Sequence, residues 1–213
     1  GRFHRKLAGY QPVDLIHRTL GRLQQTYSRR IHRVREYKRL ALYRRNGTYF
    51  DKQFFALADG LLDKMMQGVT ELEYSPYQQL CLQGGQICLY HYNEKNLWVS
   101  PEDQIFIGGF HQCHWDLRIV DVYRFLLKIF DNDISLEKAQ EVLERYECFH
   151  PLITDEYKVL SALFTFPERI YRVITAYYCG RSRHAFRLLA ERLEQAMEDE
   201  KQRMHLIKRL KGG

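Results

Sequence analysis

The stretch LYHYNEKNLWVSPEDQIFIGGFHQCHWDLRIVD, residues 89–121, holds the side chains whose types and spacing say most about chemistry. It reads as a strand, a polar turn, a strand, an acidic turn, a further strand, and then a helix introduced by an aspartate. Phosphoryl transfer uses such an order. An Asp orients the nucleophilic hydroxyl, an Asn five residues later holds magnesium, and an Asp in the next loop holds metal against the phosphate oxygens. That spacing sets the Asp and the Asn at opposite ends of one tight loop, with the metal-binding Asp across a hairpin. Asn96 occupies the Asn position. His91 stands five residues before it, where the base-like Asp belongs, and Gly109 stands where the metal-binding Asp belongs. A histidine can accept a proton. Glycine supplies no charge to hold magnesium against a triphosphate.

The other polar residues of the stretch have two readings each. Asn96 either caps a turn or touches phosphate or metal. Asp121, near a helix start, complements the helix dipole, and Asp116 can brace the loop before it. Asn96, His111 and Asp116 are the candidates for contact with a bound cofactor, although the sequence implies no particular one. Cys88, His91, His111, Cys113 and His114 invite a zinc reading, but their spacing matches no zinc pattern, so no metal site is expected. Tyr177, Tyr178 and the phenylalanine pairs read as core.

The elements that must position these residues are mostly helices. From Leu15 the apolar positions Ile16, Leu20, Leu23, Tyr27, Ile31, Val34, Tyr37 and Ala41 step by three or four, predicting a helix over 15–45 that stops at Asn46-Gly47. A second helix is expected from Phe54 through Met65, ending near Gly68, and Pro76 breaks the chain again. Gln86–His91, Asn96–Ser100 and Gln104–Phe110 are short, aromatic and β-branched, and predict a two- or three-stranded meander. Helices resume over Val120–Phe130, Leu136–Glu147 behind Ser135, Asp155–Phe164 behind Thr154, and a segment from Pro167 to Tyr178. A last helix, about Arg183 to Leu210, alternates acidic and basic residues on its polar face. The fold class is therefore mainly α (α+β), with a short β-hairpin insert.

Composition narrows the class of protein. The 213 residues are 45% hydrophobic and 14% aromatic, which excludes a disordered chain and suits a single domain over 1–213. No apolar run reaches the roughly 20 residues of a membrane helix, and no signal peptide opens the chain. Gly1 is not an initiator Met, which suits a chain that is processed, tagged or cut from a longer one. The five cysteines, odd in number and unpaired in spacing, read as reduced thiols of a cytoplasmic protein. The net charge of +7 is uneven: residues 1–45 carry 13 Lys and Arg against Asp14 and Glu36, a local +11 that leaves the remainder at −4.

Three segments together resemble the CotS/YutH-type spore-coat-associated kinase-like proteins of endospore-forming bacteria, a branch of the aminoglycoside-phosphotransferase and choline-kinase fold. AGYQP (8–12) is similar to the lead-in after the hinge. NLWVSPEDQIFIGGFHQCHWDLRIVDVYRFLLKIF (96–130) resembles the catalytic-loop hairpin and the helix after it. LITDEYKVLSALFTFPERIYRVITAYY (152–178) looks like a characteristic family stretch. The resemblance implies the C-terminal lobe of a protein-kinase-like fold. With no glycine-rich loop and no strand lysine before residue 14, it also implies that the N-terminal lobe is absent from this chain.

On this resemblance the catalytic Asp aligns with His91, the motif His with Leu89 and the metal Asp with Gly109. Asn96 matches, as do Asp116 and Asp121 of a D-L-x-x-x-D element. His91 and His111 are then expected to face the old cleft. The expected function is a pseudokinase without catalytic residues, a protein-binding or scaffold unit in sporulation, located in the mother cell and spore coat. Its partners would be other coat proteins, with the basic segment 15–45 as the contact surface. Two alternatives stand beside it: an active small-molecule phosphotransferase using substitute residues, and a basic module for nucleic acid or an anionic surface. No helix-turn-helix or single-strand-binding signature supports nucleic acid, and nothing in the sequence sets an oligomeric state.

Overall fold

The computed structural model of the chain describes residues 1–10, 17–44, 47–90, 96–102, 104–131, 136–180 and 186–212. It is mainly helical, as the periodicity predicts, with two small sheets where one was expected. In chain order the elements are α1 (Arg2–Leu7), β1 (His17–Arg18), α2 (Leu23–Tyr43), α3 (Tyr49–Tyr74), α4 (Tyr77–Gln83), β2 (Gln86–Cys88), β3 (Leu97–Val99), β4 (Ile105–Ile107), β5 (His114–Asp116), α5 (Arg118–Asp131), α6 (Leu136–Glu147), α7 (Thr154–Thr165), α8 (Glu168–Tyr178) and α9 (Phe186–Gly212). They fall into two compact units, Gly1–Arg22 with Pro76–Leu160, and Leu23–Ser75 with Ser161–Gly213.

In the first unit, β5 is the centre of a three-stranded sheet. β1 runs parallel to it on one side and β2 antiparallel on the other, pairing Ile87 with Trp115. β3 and β4 form a separate antiparallel hairpin in which Trp98 faces Phe106. Its turn is closed by Ser100, whose Oγ accepts the amides of Glu102 and Gln104, both at 3.2 Å, while its own amide donates to the Gln104 carbonyl at 2.9 Å. Arg118 opens α5 and donates Nε and Nη2 to the Glu156 carboxylate at 2.6 Å each, fastening α5 to α7.

In the second unit, Tyr27, Val34, Phe54, Met65 and Leu72 bury one stripe of α2 against one stripe of α3. A capping box starts α3: the Thr48 hydroxyl accepts the Asp51 amide and the Asp51 carboxylate accepts the Thr48 amide. The characteristic stretch 152–178 supplies anchors for this core. The Tyr27 and Phe166 rings stack 3.9 Å apart, Glu168 pairs with Arg30, and the hydroxyls of Tyr177 and Tyr178 donate to buried Asp51 at 3.1 and 2.8 Å.

Four sequence expectations change. α2 begins at Leu23, not Leu15: His17 and Arg18 form a strand on β5, and Gly21, at φ +77°, turns the chain before the helix. Ile16 and Leu20 keep the helical phase only by coincidence, and Leu15 and Ile16 lie outside the described residues, as do Asn46 and Ser135. α3 continues past Gly68 to Tyr74, because that glycine serves a close approach to Phe166 rather than a stop. The expected meander is instead a hairpin plus one strand of another sheet, and β5 is an unexpected element between them. Among the described residues, no helix is long and apolar enough to cross a membrane.

Candidate functional site

The phosphotransferase-like spacing lies wholly in the first unit. After β2 the chain turns sharply through Tyr90, whose φ of 61° is left-handed and unusual for a residue with a side chain. Asp121, on the first turn of α5, holds that turn. Its Oδ2 accepts the Leu89 amide and its Oδ1 the Tyr90 amide, both at 2.8 Å. Buried His4 of α1 adds a third contact, with Nε2 3.1 Å from Oδ2 and Nδ1 2.8 Å from the Tyr146 hydroxyl. Asp121 is fully buried, so these partners replace the water it has lost. Asp121 stands in the first turn of its own helix, as expected, and also braces the turn at Leu89 and Tyr90. His91 itself lies outside the described residues.

The Tyr90 ring is held as firmly as its backbone. The His114 ring stacks on it at 3.6 Å and the Arg124 guanidinium sits 3.3 Å from its centroid. Two groups that close cannot share one face of a ring, so Tyr90 lies between them. Asp116, at the end of β5, accepts the Thr19 hydroxyl at 2.7 Å and the Leu117 amide at 2.8 Å. Burial pushes its carboxyl above the ordinary value, against the opposing pull of those two hydrogen bonds and of Arg124. Its side chain ties β5 to Thr19 and to the amide just before α5, rather than to the loop before it.

Asn96 and Gly109 are brought together across the hairpin, as the spacing predicts. The Gly108 amide donates to the Asn96 carbonyl at 2.9 Å. Gly109 has φ +79°, and a β-carbon placed on it would stand 2.7 Å from Asn96 Nδ2 and 3.0 Å from its Cγ. A β-carbon on Gly108 would stand 2.7 Å from the Trp98 ring. The glycine pair is thus the floor on which the Asn96 amide and the Trp98 indole rest. His111 is exposed on a 3-10 turn, Phe110–Gln112, beside the Gln112 amide. Cys113 is buried against Ile87 and Leu89, and burial, with Asp121 second, raises its thiol to about 11.

Chemically, the region presents an amide over a glycine where two metal-holding groups would be wanted. Both nearby aspartates are committed to the protein's own donors. Sequence reasoning did not single out His4, Tyr146, Tyr90, Thr19 or Arg124. A non-glycine residue at positive φ leaves no mark in sequence, and the His4–Asp121 contact joins residues too far apart for periodicity to register.

A solved aminoglycoside phosphotransferase from Alicyclobacillus acidocaldarius has the same fold, with a TM-score of 0.73 at 17% identity over 89% of this chain. The architecture is therefore that of an aminoglycoside-phosphotransferase fold, and the chain spans 57% of that protein's length. The chain belongs to the spore coat YutH family, whose model, described as "Spore coat putative kinase YutH", matches residues 1–210.

Proposed function

We propose that this chain is a non-catalytic member of its fold, a pseudokinase unit that binds other proteins of the spore coat, made in the mother cell and carried into the coat. The observation that supports this most is the packing at Gly109. The place from which a metal-binding carboxylate would project is filled by the Asn96 amide, and the backbone there is left-handed. Without that carboxylate, magnesium lacks a counter-charge at the point where phosphoryl transfer needs it. Asp121 holds the turn at Leu89 and Tyr90, and Asp116 holds Thr19 and the Leu117 amide, so both carboxylates have a role that needs no substrate. Incubation with radiolabelled ATP and aminoglycosides, choline or sugars is expected to give no labelled product above an Asn96→Ala control. Turnover above that control would overturn the reading.

The surface proposed for binding is the basic face of α2. Arg29, Arg33, Arg35 and Arg39 are exposed there. Arg30 does not belong with them: it pairs with Glu168 and lies over the Tyr171 ring at 4.9 Å. An exposed basic face speeds encounter with acidic partners. Reversing Arg29 and Arg35 to Glu is expected to displace a fluorescently tagged protein from the forespore surface. Unchanged localisation would remove α2 from the account.

A further inference from the structure

Three side chains from distant parts of the sequence converge behind the braced turn. A ring nitrogen of His4, Sγ of Cys88 and a carboxylate oxygen of Asp121 all lie within 4.8 Å of one another, and all three residues are buried. They come from α1, β2 and α5, so no local spacing announces them. We propose that His4, Cys88 and Asp121 form a binding site for a zinc-class divalent ion, structural in role and separate from the Asn96–Gly109 hairpin.

Ligand chemistry, geometry and charge agree on this. One nitrogen, one sulfur and one oxygen suit a borderline-soft ion such as Zn2+, whereas Mg2+ takes oxygen ligands. An ion centred among three atoms no more than 4.8 Å apart sits at most roughly 2.8 Å from each, so a small closure reaches the usual Zn–ligand lengths. A thiolate and a carboxylate cancel a double positive charge, leaving a neutral centre in a place where net charge is costly. The present partners of the Cys88 thiol are the Gln86, Asp116 and Leu117 carbonyls, at 3.6, 3.6 and 3.5 Å.

The outer contacts a metal site needs are already in place. Metal-bound histidine is oriented by a hydrogen bond from its other nitrogen, and His4 Nδ1 lies 2.8 Å from the Tyr146 hydroxyl. With Nδ1–H donating to that oxygen, Nε2 presents its lone pair towards Asp121. The Leu89 and Tyr90 amides hold the carboxylate from behind. Loading is an exchange without redox change: the Cys88 proton leaves to solvent, the proton that Nε2 shares with Asp121 is given up while Nδ1 takes one and donates it to the Tyr146 oxygen, and the ion takes the place of the His4–Asp121 hydrogen bond. A fourth position remains for water.

This inference does not depend on the non-catalytic reading, and either can fail alone. The probe is Co2+, titrated into the chelator-stripped full chain carrying Cys148→Ser and Cys179→Ser, which removes the two exposed thiols. A sulfur-to-cobalt charge-transfer band saturating at one ion per chain is expected, displaced by Zn2+. It should vanish in Cys88→Ser and weaken at least tenfold in His4→Gln, with folding of each checked by circular dichroism. If Cys88→Ser does not fold, protection of the Cys88 thiol from alkylation by Zn2+ in the parent decides in its place. No band in the parent, a band persisting in folded Cys88→Ser, full strength in His4→Gln, or no protection where that measurement decides overturns the site.

Discussion

At position 109 two constraints meet, a φ of +79° and the Asn96 amide 2.7 Å from where a β-carbon would stand. Restoring an aspartate there meets both. Gly109→Asp is expected to lower stability by about 1–3 kcal/mol, from backbone strain and overpacking together. Denaturant unfolding measures the loss, and no phosphoryl transfer should accompany it. Adding Asn96→Ala relieves the clash but not the strain, so the double variant should recover only part of the difference. Asp121 is the other such residue, since it holds the turn at Leu89 and Tyr90. Asp121→Ala leaves the Leu89 and Tyr90 amides without their acceptor, at an expected cost of about 2–4 kcal/mol. Faster hydrogen exchange at those two amides would locate the effect at the turn, and unchanged exchange would show that the brace is dispensable.

Among the elements, α3 carries the sharpest test of packing against propensity. A β-carbon on Gly68 would lie 3.0 Å from the backbone of Phe166, which is fully buried. Replacing a mid-helix glycine by alanine ordinarily gains about 1 kcal/mol, but here the added methyl presses on backbone that cannot rotate away. Gly68→Ala is therefore expected to lower the thermal midpoint, and a rise would show that α3 and Phe166 can part without cost. This glycine also shows where the sequence was legible. α5, α6 and α8 could be read because their apolar period runs unbroken and their ends are marked by acidic first turns or proline. α2 was read too long because Ile16 and Leu20 fall in phase, while the turn at Gly21 and the pairing of His17 with His114 are set by tertiary partners. β1 and β5 are not legible because His17-Arg18 and His114-Trp115-Asp116 lack the β-branched and aliphatic run that marks β2, β3 and β4. For the site, spacing alone found Asn96 and Gly109, since both lie on one hairpin. It could not find the His4–Asp121–Tyr146 brace, whose members share no local pattern.

Over the whole sequence, charge separates into residues 1–45 at +11 and a remainder at −4, but the cations of α2 are not equivalent. Arg30→Glu should destabilise the fold, because it sets two carboxylates together in a half-buried place beside Glu168. Arg29→Glu and Arg35→Glu should unfold at the parent's midpoint. Equal midpoints for all three would contradict the assigned role of Arg30. Acid should act through Asp51. Burial alone would raise its pKa, but hydrogen bonds from Tyr178 and Thr48 and the charge of Arg44 hold it below the ordinary value. A carboxyl depressed on folding contributes stability at pH above its unfolded value and loses that contribution as pH falls through its folded value. Asp51→Asn should thus flatten the decline of the thermal midpoint as pH falls below the ordinary carboxylate value of 3.8. The central claim, that this fold is kept without its chemistry, meets its most direct test in one assay: γ-labelled ATP, magnesium and a panel of aminoglycosides, choline and sugars, run beside Asn96→Ala. The account predicts identical, background-level label in both proteins; transfer by the parent that Asn96→Ala abolishes would contradict it.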